Sequence, residues 1–320
     1  MAVPSDGLWG AAQVIGVLLT LVLVGGLATV PDTTLDILWN AVIPILPAAF
    51  LLAPSLWRNV CPLATLNMLG GGRRVLTARV ATGASAIGIV LLFVLVPARR
   101  FLFNENGPAL AVTILAVASL ALLAGALFSA KAGFCNAICP VLPVERLYGQ
   151  EPLLRVRQVR CRRCVRCTQT ACIDLSARES VRQTFGARAD GTGWVFTPFG
   201  IFALAFPGFV IGYFTTSDGP LSTWAAVYGH VGAWSGASLA LLGAITLVGR
   251  VPALWMTRLC GVAALVLYYW FGAPGIAQVW ALPGVFVVGV RATALALALV
   301  WLPRALRGAR RRLPAEGARA

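Results

Sequence analysis

At 320 residues, with 59% hydrophobic and only 12% charged side chains, the chain has too few polar groups to cover a water-soluble globule of its size. Its net charge of +15, from 26 Lys and Arg against 11 Asp and Glu, would suggest nucleic acid in a soluble protein. Here the basic residues alternate with long apolar runs, which excludes that reading in favour of membrane topology.

A helix crosses the hydrocarbon with about 20 apolar residues. Stretches of that kind lie near residues 8–30, 35–54, 76–97, 108–130, 194–214, 224–248, 253–273 and 278–302. The expected fold is therefore an all-α polytopic membrane protein with about eight transmembrane helices. The first stretch is read as a retained helix, because Met1 to Trp9 lacks Lys and Arg and the apolar run exceeds that of a signal peptide.

The linkers alternate in charge along the chain. Arg58, Arg73, Arg74 and Arg79 lie between the second and third spans, and residues 131–193 carry eleven basic side chains. Arg250 and Arg258 flank the turn after the sixth span, and six Arg follow from residue 304. The other linkers, 31–35, 215–223 and 274–277, carry none, and 98–107 has only Arg99 and Arg100. Lys and Arg collect on cytoplasmic loops, so both termini and the four basic segments are expected inside.

That topology puts Cys61, Cys135, Cys139, Cys161, Cys164, Cys167 and Cys172 at or beyond the cytoplasmic ends of the second and fourth spans. In a reducing compartment such cysteines point to metal rather than to disulfides. The run "CRRCVRCTQTAC" spaces Cys161, Cys164 and Cys167 by two residues, so one tight loop reaches three corners of a [4Fe–4S] cubane. Zinc more often uses distant CxxC pairs. Cys172 follows after four residues and is succeeded by Ile173, where bacterial ferredoxins have a three-residue gap and a proline. It either closes the same cubane or serves a second one. Arg160, Arg162, Arg163 and Arg166 between these cysteines favour thiolate and offset cluster charge, and they also extend the topology signal.

"LWRNVCPLATLNMLGG" after the second span and "GFCNAICPVLPVERLYGQ" after the fourth share Cys-Pro, aligning Cys61-Pro62 with Cys139-Pro140 and Trp57 with Cys135. The first four spans thus read as two copies of a hairpin-plus-motif unit, which predicts that Cys61 and Cys139 meet around a pseudo-two-fold axis. With the CxxxCP of Cys135 and Cys139 and the following triplet, residues 35–175 resemble the polytopic membrane ferredoxin-type 4Fe–4S proteins of the NapH, NosR and MauN type. The resemblance implies a bacterial plasma-membrane protein without catalysis of its own. It would pass electrons between the quinone pool or a cytoplasmic donor and a partner reductase, dehydrogenase or electron-transfer protein. The ligands it implies are Cys161, Cys164 and Cys167, with Cys172, Cys139, Cys135 and Cys61 supplying the remaining ligand or a second site. Two all-cysteine cubanes need eight thiolates, so a second cluster would require Cys260 or a non-cysteine ligand. The same soft thiolates also admit zinc or copper(I) in a maturation or redox-sensing protein.

On this reading residues 1–130 form a four-helix membrane half with an internal hairpin repeat. Residues 131–193 form a cytoplasmic iron–sulfur segment with a ferredoxin-like cysteine loop, 194–303 a second four-helix half, and 304–320 a basic cytoplasmic tail. A short helix is expected within 174–193, ending before Gly186 or Gly191. In the second half, Cys260 reads as apolar core and His230, the only histidine, as an interfacial polar group. Arg291 lies within the last span, where it contacts backbone carbonyls, meets a ligand headgroup or marks a misplaced boundary. No nucleotide fingerprint, phosphate cradle or hydrolytic triad is present.

Overall fold

Residues 6–154, 172–174, 176–189 and 191–310 are described by the structure, a computed structural model. Capping residues visible in the sequence start several of its helices. The Asn106 side chain accepts the Ala109 N–H at 2.9 Å and Thr197 accepts the Gly200 N–H at 3.1 Å, each beside a proline in the first turn.

The chain order is α1 (Asp6–Thr29), α2 (Pro31–Ile37), α3 (Ile43–Leu52), α4 (Pro54–Val60), α5 (Pro62–Leu69), α6 (Ala78–Ala98) and α7 (Gly107–Leu127). It continues with α8 (Leu142–Tyr148), α9 (Ala177–Phe185), α10 (Pro198–Phe214), α11 (Trp224–Gly249), α12 (Ala253–Val279) and α13 (Gly284–Arg310). Among the described residues, seven helical stretches are long and apolar enough to cross a bilayer, one of them Pro31–Leu52, in which a π-helical turn at Leu38–Val42 joins α2 to α3. That stretch begins at Pro31 rather than near residue 35, so Asp32 and Asp36 fall in its exposed first turns. Large apolar side chains such as Val22, Val248, Val285 and Leu299 face outward, as a lipid-facing surface requires. The chain is a multi-pass, all-helical membrane protein.

The fifth apolar stretch of the sequence differs from the others. It forms α10, which has 17 residues and at 1.5 Å per residue is about 25 Å long, against a hydrocarbon core of about 30 Å. It is also enclosed by protein, packing against α6, α8, α11 and α12. Gly208 and Gly212 let α11 approach closely, because a Cβ at Gly208 would lie 2.1 Å from the Trp234 carbonyl oxygen. Phe199, Phe202, Phe206 and Phe209 form a continuous aromatic ridge along α10, with ring centroids 4.9–5.8 Å apart.

This ridge belongs to a core that also takes Phe50 and Leu92 from the first half, Tyr148 from α8, and Cys260 and Trp301 from the second half. The two membrane halves share one interior. Cys260 is 1% exposed within it, as expected of an apolar residue. The short helix anticipated in 174–193 is α9, which ends at Gly186 with φ +55°.

Prolines inside the spans free carbonyls that side chains then occupy. Pro44 cannot donate to Asn40, whose carbonyl instead accepts the Trp280 indole N–H at 3.3 Å. Pro274 likewise leaves the Trp270 carbonyl free, and Arg291 donates to it from Nε at 3.1 Å and Nη2 at 2.9 Å while lying over the Trp270 ring. Of the three readings of Arg291, the carbonyl contact is the one observed. His230 Nε2 lies 2.9 Å from the Thr215 hydroxyl at the end of α10.

Candidate metal centre

Both Cys-Pro motifs stop a helical turn in the same way. The residue before proline is driven to extended ψ. Cys61 has φ −57°, ψ 127° and Cys139 has φ −57°, ψ 122°. The turns differ in one respect. The Cys61 amide donates to the Trp57 carbonyl at 2.8 Å, four residues back, whereas the Cys139 amide donates to Phe134, five back, at 3.1 Å. The second motif is thus a π-helical turn, Phe134–Ile138, and such single π turns often mark functional positions. Cys135 lies within it and is buried.

Cys61, Cys135 and Cys139 come together in one cluster with Ala64, Ala121 and Phe134. The cluster is not at the helix ends where the sequence reading puts it. The Val60 carbonyl lies against Gly16 midway along α1, the Cys139 carbonyl against Gly88 midway along α6, and Val117 midway along α7 joins the same group. The chain after each span folds back beside the spans instead of projecting from them. Glycines permit this: a Cβ at Gly125 would lie 2.0 Å from the Asn67 carbonyl oxygen, and one at Gly70 would lie 2.1 Å from Gly125.

A buried polar network makes that placement tolerable, since a buried charge must be paired and hydrogen-bonded. Arg58, 3% exposed, donates to Glu145 at 2.5 Å, Asp174 at 2.8 Å and Asn136 at 2.7 Å. Lys131 donates to Asp174 at 3.2 Å and to Asn59 at 2.7 Å. Two cations therefore meet two carboxylates. Burial works against the Arg58 charge, but Asp174 and Glu145 outweigh it and hold the guanidinium protonated. Burial likewise disfavours the Asp174 carboxylate, yet Arg58 and Lys131 hold its pKa below the ordinary value. For Glu145 burial prevails over Arg58 and moves the carboxyl upward. In the sequence Arg58 reads only as a topology signal. What could have revealed the network is the scarcity of acids, since Glu145 and Asp174 are two of only 11 and sit beside the motifs.

The described residues nearest the cysteine triplet on either side are held to α3 and α4. Just before it, the Leu154 amide donates to the Leu52 carbonyl at the end of α3 at 2.8 Å. Just after it, Asp174 is held by Arg58 of α4, and the Cys172 thiol lies 3.9 Å from Asp174 Oδ2. Cys161, Cys164 and Cys167 themselves lie outside the described residues. Among the described residues, no group of three or more Cys, His, Asp and Glu side chains is close enough to hold a metal ion. Cys61, Cys135 and Cys139 are neighbours without forming a three-ligand site. Cys260 belongs to the large shared core instead of this cluster.

Burial also sets the state of the thiols. It raises the pKa of Cys61 and Cys135 and pushes Cys139 up to about 12, so all three are neutral at physiological pH. Metal binding to them would release protons. The interleaved Arg160, Arg162, Arg163 and Arg166 also lie outside the described residues.

A second, partly buried ion group supports the segment between α8 and α9. Glu151 pairs with Arg178 and, at 3.1 Å, with Arg258, and its backbone carbonyl accepts the Trp301 indole N–H at 2.7 Å. The sequence suggests only a charge flanking a turn at Arg258, but its side chain is fully buried and also donates to the Ala305 carbonyl. No family model matches the chain, and neither a curated protein nor a solved structure is similar to it.

Proposed function

We propose that the protein is an integral iron–sulfur electron carrier of a bacterial plasma membrane. On this reading a [4Fe–4S] cluster is held by Cys161, Cys164 and Cys167. The fourth ligand, or a second site, comes from Cys172, Cys139, Cys135 and Cys61. Both termini and the cysteine segment face the cytoplasm, and electrons pass between the quinone pool or a cytoplasmic donor and a partner redox complex.

The observation that carries this reading is the shared anchorage. Leu154 and Asp174, on either side of the triplet, bond to residues of α3 and α4 just ahead of Cys61, and Cys61 is clustered with Cys135 and Cys139. Cys167 is five residues from Cys172, and five residues reach at most roughly 18 Å. On this reading Cys172, beside the Arg58–Asp174 pair, and the triplet tethered to it in sequence would join Cys61, Cys135 and Cys139. The chemistry of the donors suits the group, because soft thiolates bind iron–sulfur clusters and fixed cations compensate their charge. Arg58 and Lys131 supply such cations beside the cluster of three cysteines. When bound, the cluster would supply one-electron chemistry without bond making. The chain's own residues would position it, exclude water through the surrounding alanines and aromatics, and set its potential through the buried charges.

The test is metal and acid-labile sulfide analysis of anaerobically purified protein, with low-temperature EPR as isolated and after reduction. About four irons per chain and a reducible signal would support a single cluster, and about eight would support two. Zinc or copper without iron would replace the carrier by a maturation or sensing protein. Protein without any metal would reject both.

A further inference from the structure

A small pocket opens where the first turns of α6 and α10 meet α8 and α9. Arg146 of α8, Ser85 of α6 and Ser180 of α9 line it, and Phe199 of α10 forms part of its apolar wall. The three polar side chains converge. Arg146 donates from Nε to the Ser180 hydroxyl at 3.3 Å and from Nη1 to the Ser85 hydroxyl at 3.0 Å. All three are more than nine-tenths buried, with 7% of Arg146, 7% of Ser85 and 2% of Ser180 exposed.

Arg146 differs from the other buried cations of the protein. Arg58, Lys131 and Arg258 each meet a carboxylate, whereas no carboxylate pairs with Arg146 among the described residues. Its neighbour Glu145 is held by Arg58. Burial, with Arg58 adding to it, pushes the Arg146 pKa down to about 10, so the guanidinium is still charged at pH 7. A buried charge calls for a counter-charge, and here two hydroxyls stand in its place.

Those hydroxyls are themselves set apart. Thr113, Ser235 and Thr246 donate back to a carbonyl four residues earlier. Ser85 and Ser180 accept from Arg146 instead, and neither donates to a carbonyl among the described residues. Two O–H donors and one cation therefore share a pocket whose lining supplies no anion. Glu179 is bonded by Gln183 Nε2 at 3.3 Å and is not part of the lining. The first turns of α6 and α10 add N–H groups and dipoles that favour negative charge.

The pocket holds about 30 Å³, against about 10–15 Å³ for a single water on the same measure. That is room for the oxygens of one small oxyanion, and a larger molecule must leave its remainder outside. Ser85 belongs to the spanning stretch that begins at Val80, so the pocket stands near the end of a span, the level at which lipid phosphates lie.

We infer that this pocket binds a phosphate group, with Arg146 as its counter-charge and the Ser85 and Ser180 hydroxyls donating to its oxygens. Two sources offer that chemistry, the headgroup of an anionic phospholipid and a soluble phosphate. The inference concerns binding alone and stands whether or not the cysteines hold iron.

The experiment is thermal unfolding of delipidated full-length protein in a non-ionic, phosphate-free detergent, followed by tryptophan fluorescence. Sodium phosphate, phosphatidylglycerol, diacylglycerol and sodium chloride at matched ionic strength are titrated separately. Two variants accompany the wild type: Arg146→Met, which removes the charge, and Ser180→Ala, which removes one donor and keeps the charge. Circular dichroism checks that each is folded, and Ser180→Ala decides alone if Arg146→Met is not. The expected result is a saturable rise of the unfolding midpoint with a phosphate-bearing probe, and none with diacylglycerol or chloride. The rise should vanish in Arg146→Met, and the apparent affinity should fall about tenfold in Ser180→Ala, the loss of one hydrogen bond to a charged group. A variant-sensitive rise with sodium phosphate identifies soluble phosphate as sufficient, and one with phosphatidylglycerol alone identifies a lipid headgroup. No rise with either phosphate probe, or a rise that the substitutions leave unchanged, would overturn the inference.

Discussion

Replacing Arg58 by Met tests whether the buried ion network supports the cysteine site. The side chain is 3% exposed and donates to Glu145, Asp174 and Asn136. Asp174 would keep Lys131 at 3.2 Å, but Arg58 is the only salt-bridge partner found for Glu145 among the described residues. Breaking a buried pair in this way typically costs about 3–5 kcal/mol. The acid can limit its own cost by taking up a proton. For a carboxyl with an ordinary pKa near 4.3, that costs about 3.5 kcal/mol at pH 7 and about 1 kcal/mol at pH 5. The sign follows from linkage. In the variant the folded-state pKa of Glu145 lies above its unfolded value, so stability is lost as pH rises and regained as it falls. Denaturant titration in mild detergent, followed by far-ultraviolet circular dichroism, should therefore show Arg58→Met losing about 3–5 kcal/mol at pH 7 and clearly less at pH 5. Adding Glu145→Gln should restore part of the loss, with a coupling of about 1–3 kcal/mol. A loss independent of pH, or strictly additive effects of the two substitutions, would refute the reasoning.

Two further predictions concern other elements. Arg291→Leu should destabilise the α12–α13 pair by about 1–3 kcal/mol, because the Trp270 carbonyl loses its donor. Pro274→Ala in the same chain should recover much of this by returning a backbone N–H, and failure of the rescue would show that the carbonyl is not what Arg291 serves. In metal-free protein, alkylation of Cys139 mapped by mass spectrometry should still climb about tenfold per pH unit between pH 9 and 11, where an ordinary thiol near 8.5 has levelled off. That follows from its pKa of about 12, and a plateau by pH 9 would contradict its burial.

Much of the architecture is legible in the chain because lipid imposes a simple rule: helices about 20 residues long with apolar surfaces. Seven of the anticipated spans emerge on that rule alone. The two Cys-Pro turns are equally legible, since proline restricts the residue before it wherever the chain goes, and Cys61 and Cys139 share nearly the same dihedral angles. The apolar character of Cys260 follows from its type and surroundings.

Other features depend on partners distant in sequence. Periodicity does not distinguish α10 from a spanning helix, because its apolar residues face protein instead of lipid. The depth of Cys61, Cys135 and Cys139 depends on glycines that admit a chain folding back beside α1, α6 and α7. It also depends on Arg58, Glu145, Lys131 and Asp174, residues as much as 116 positions apart, meeting out of water. Local sequence carries the covalent and solvation rules and so determined the spans, the turns and the kinds of donor. Which buried charges neutralise one another is a long-range property that only the tertiary structure decided.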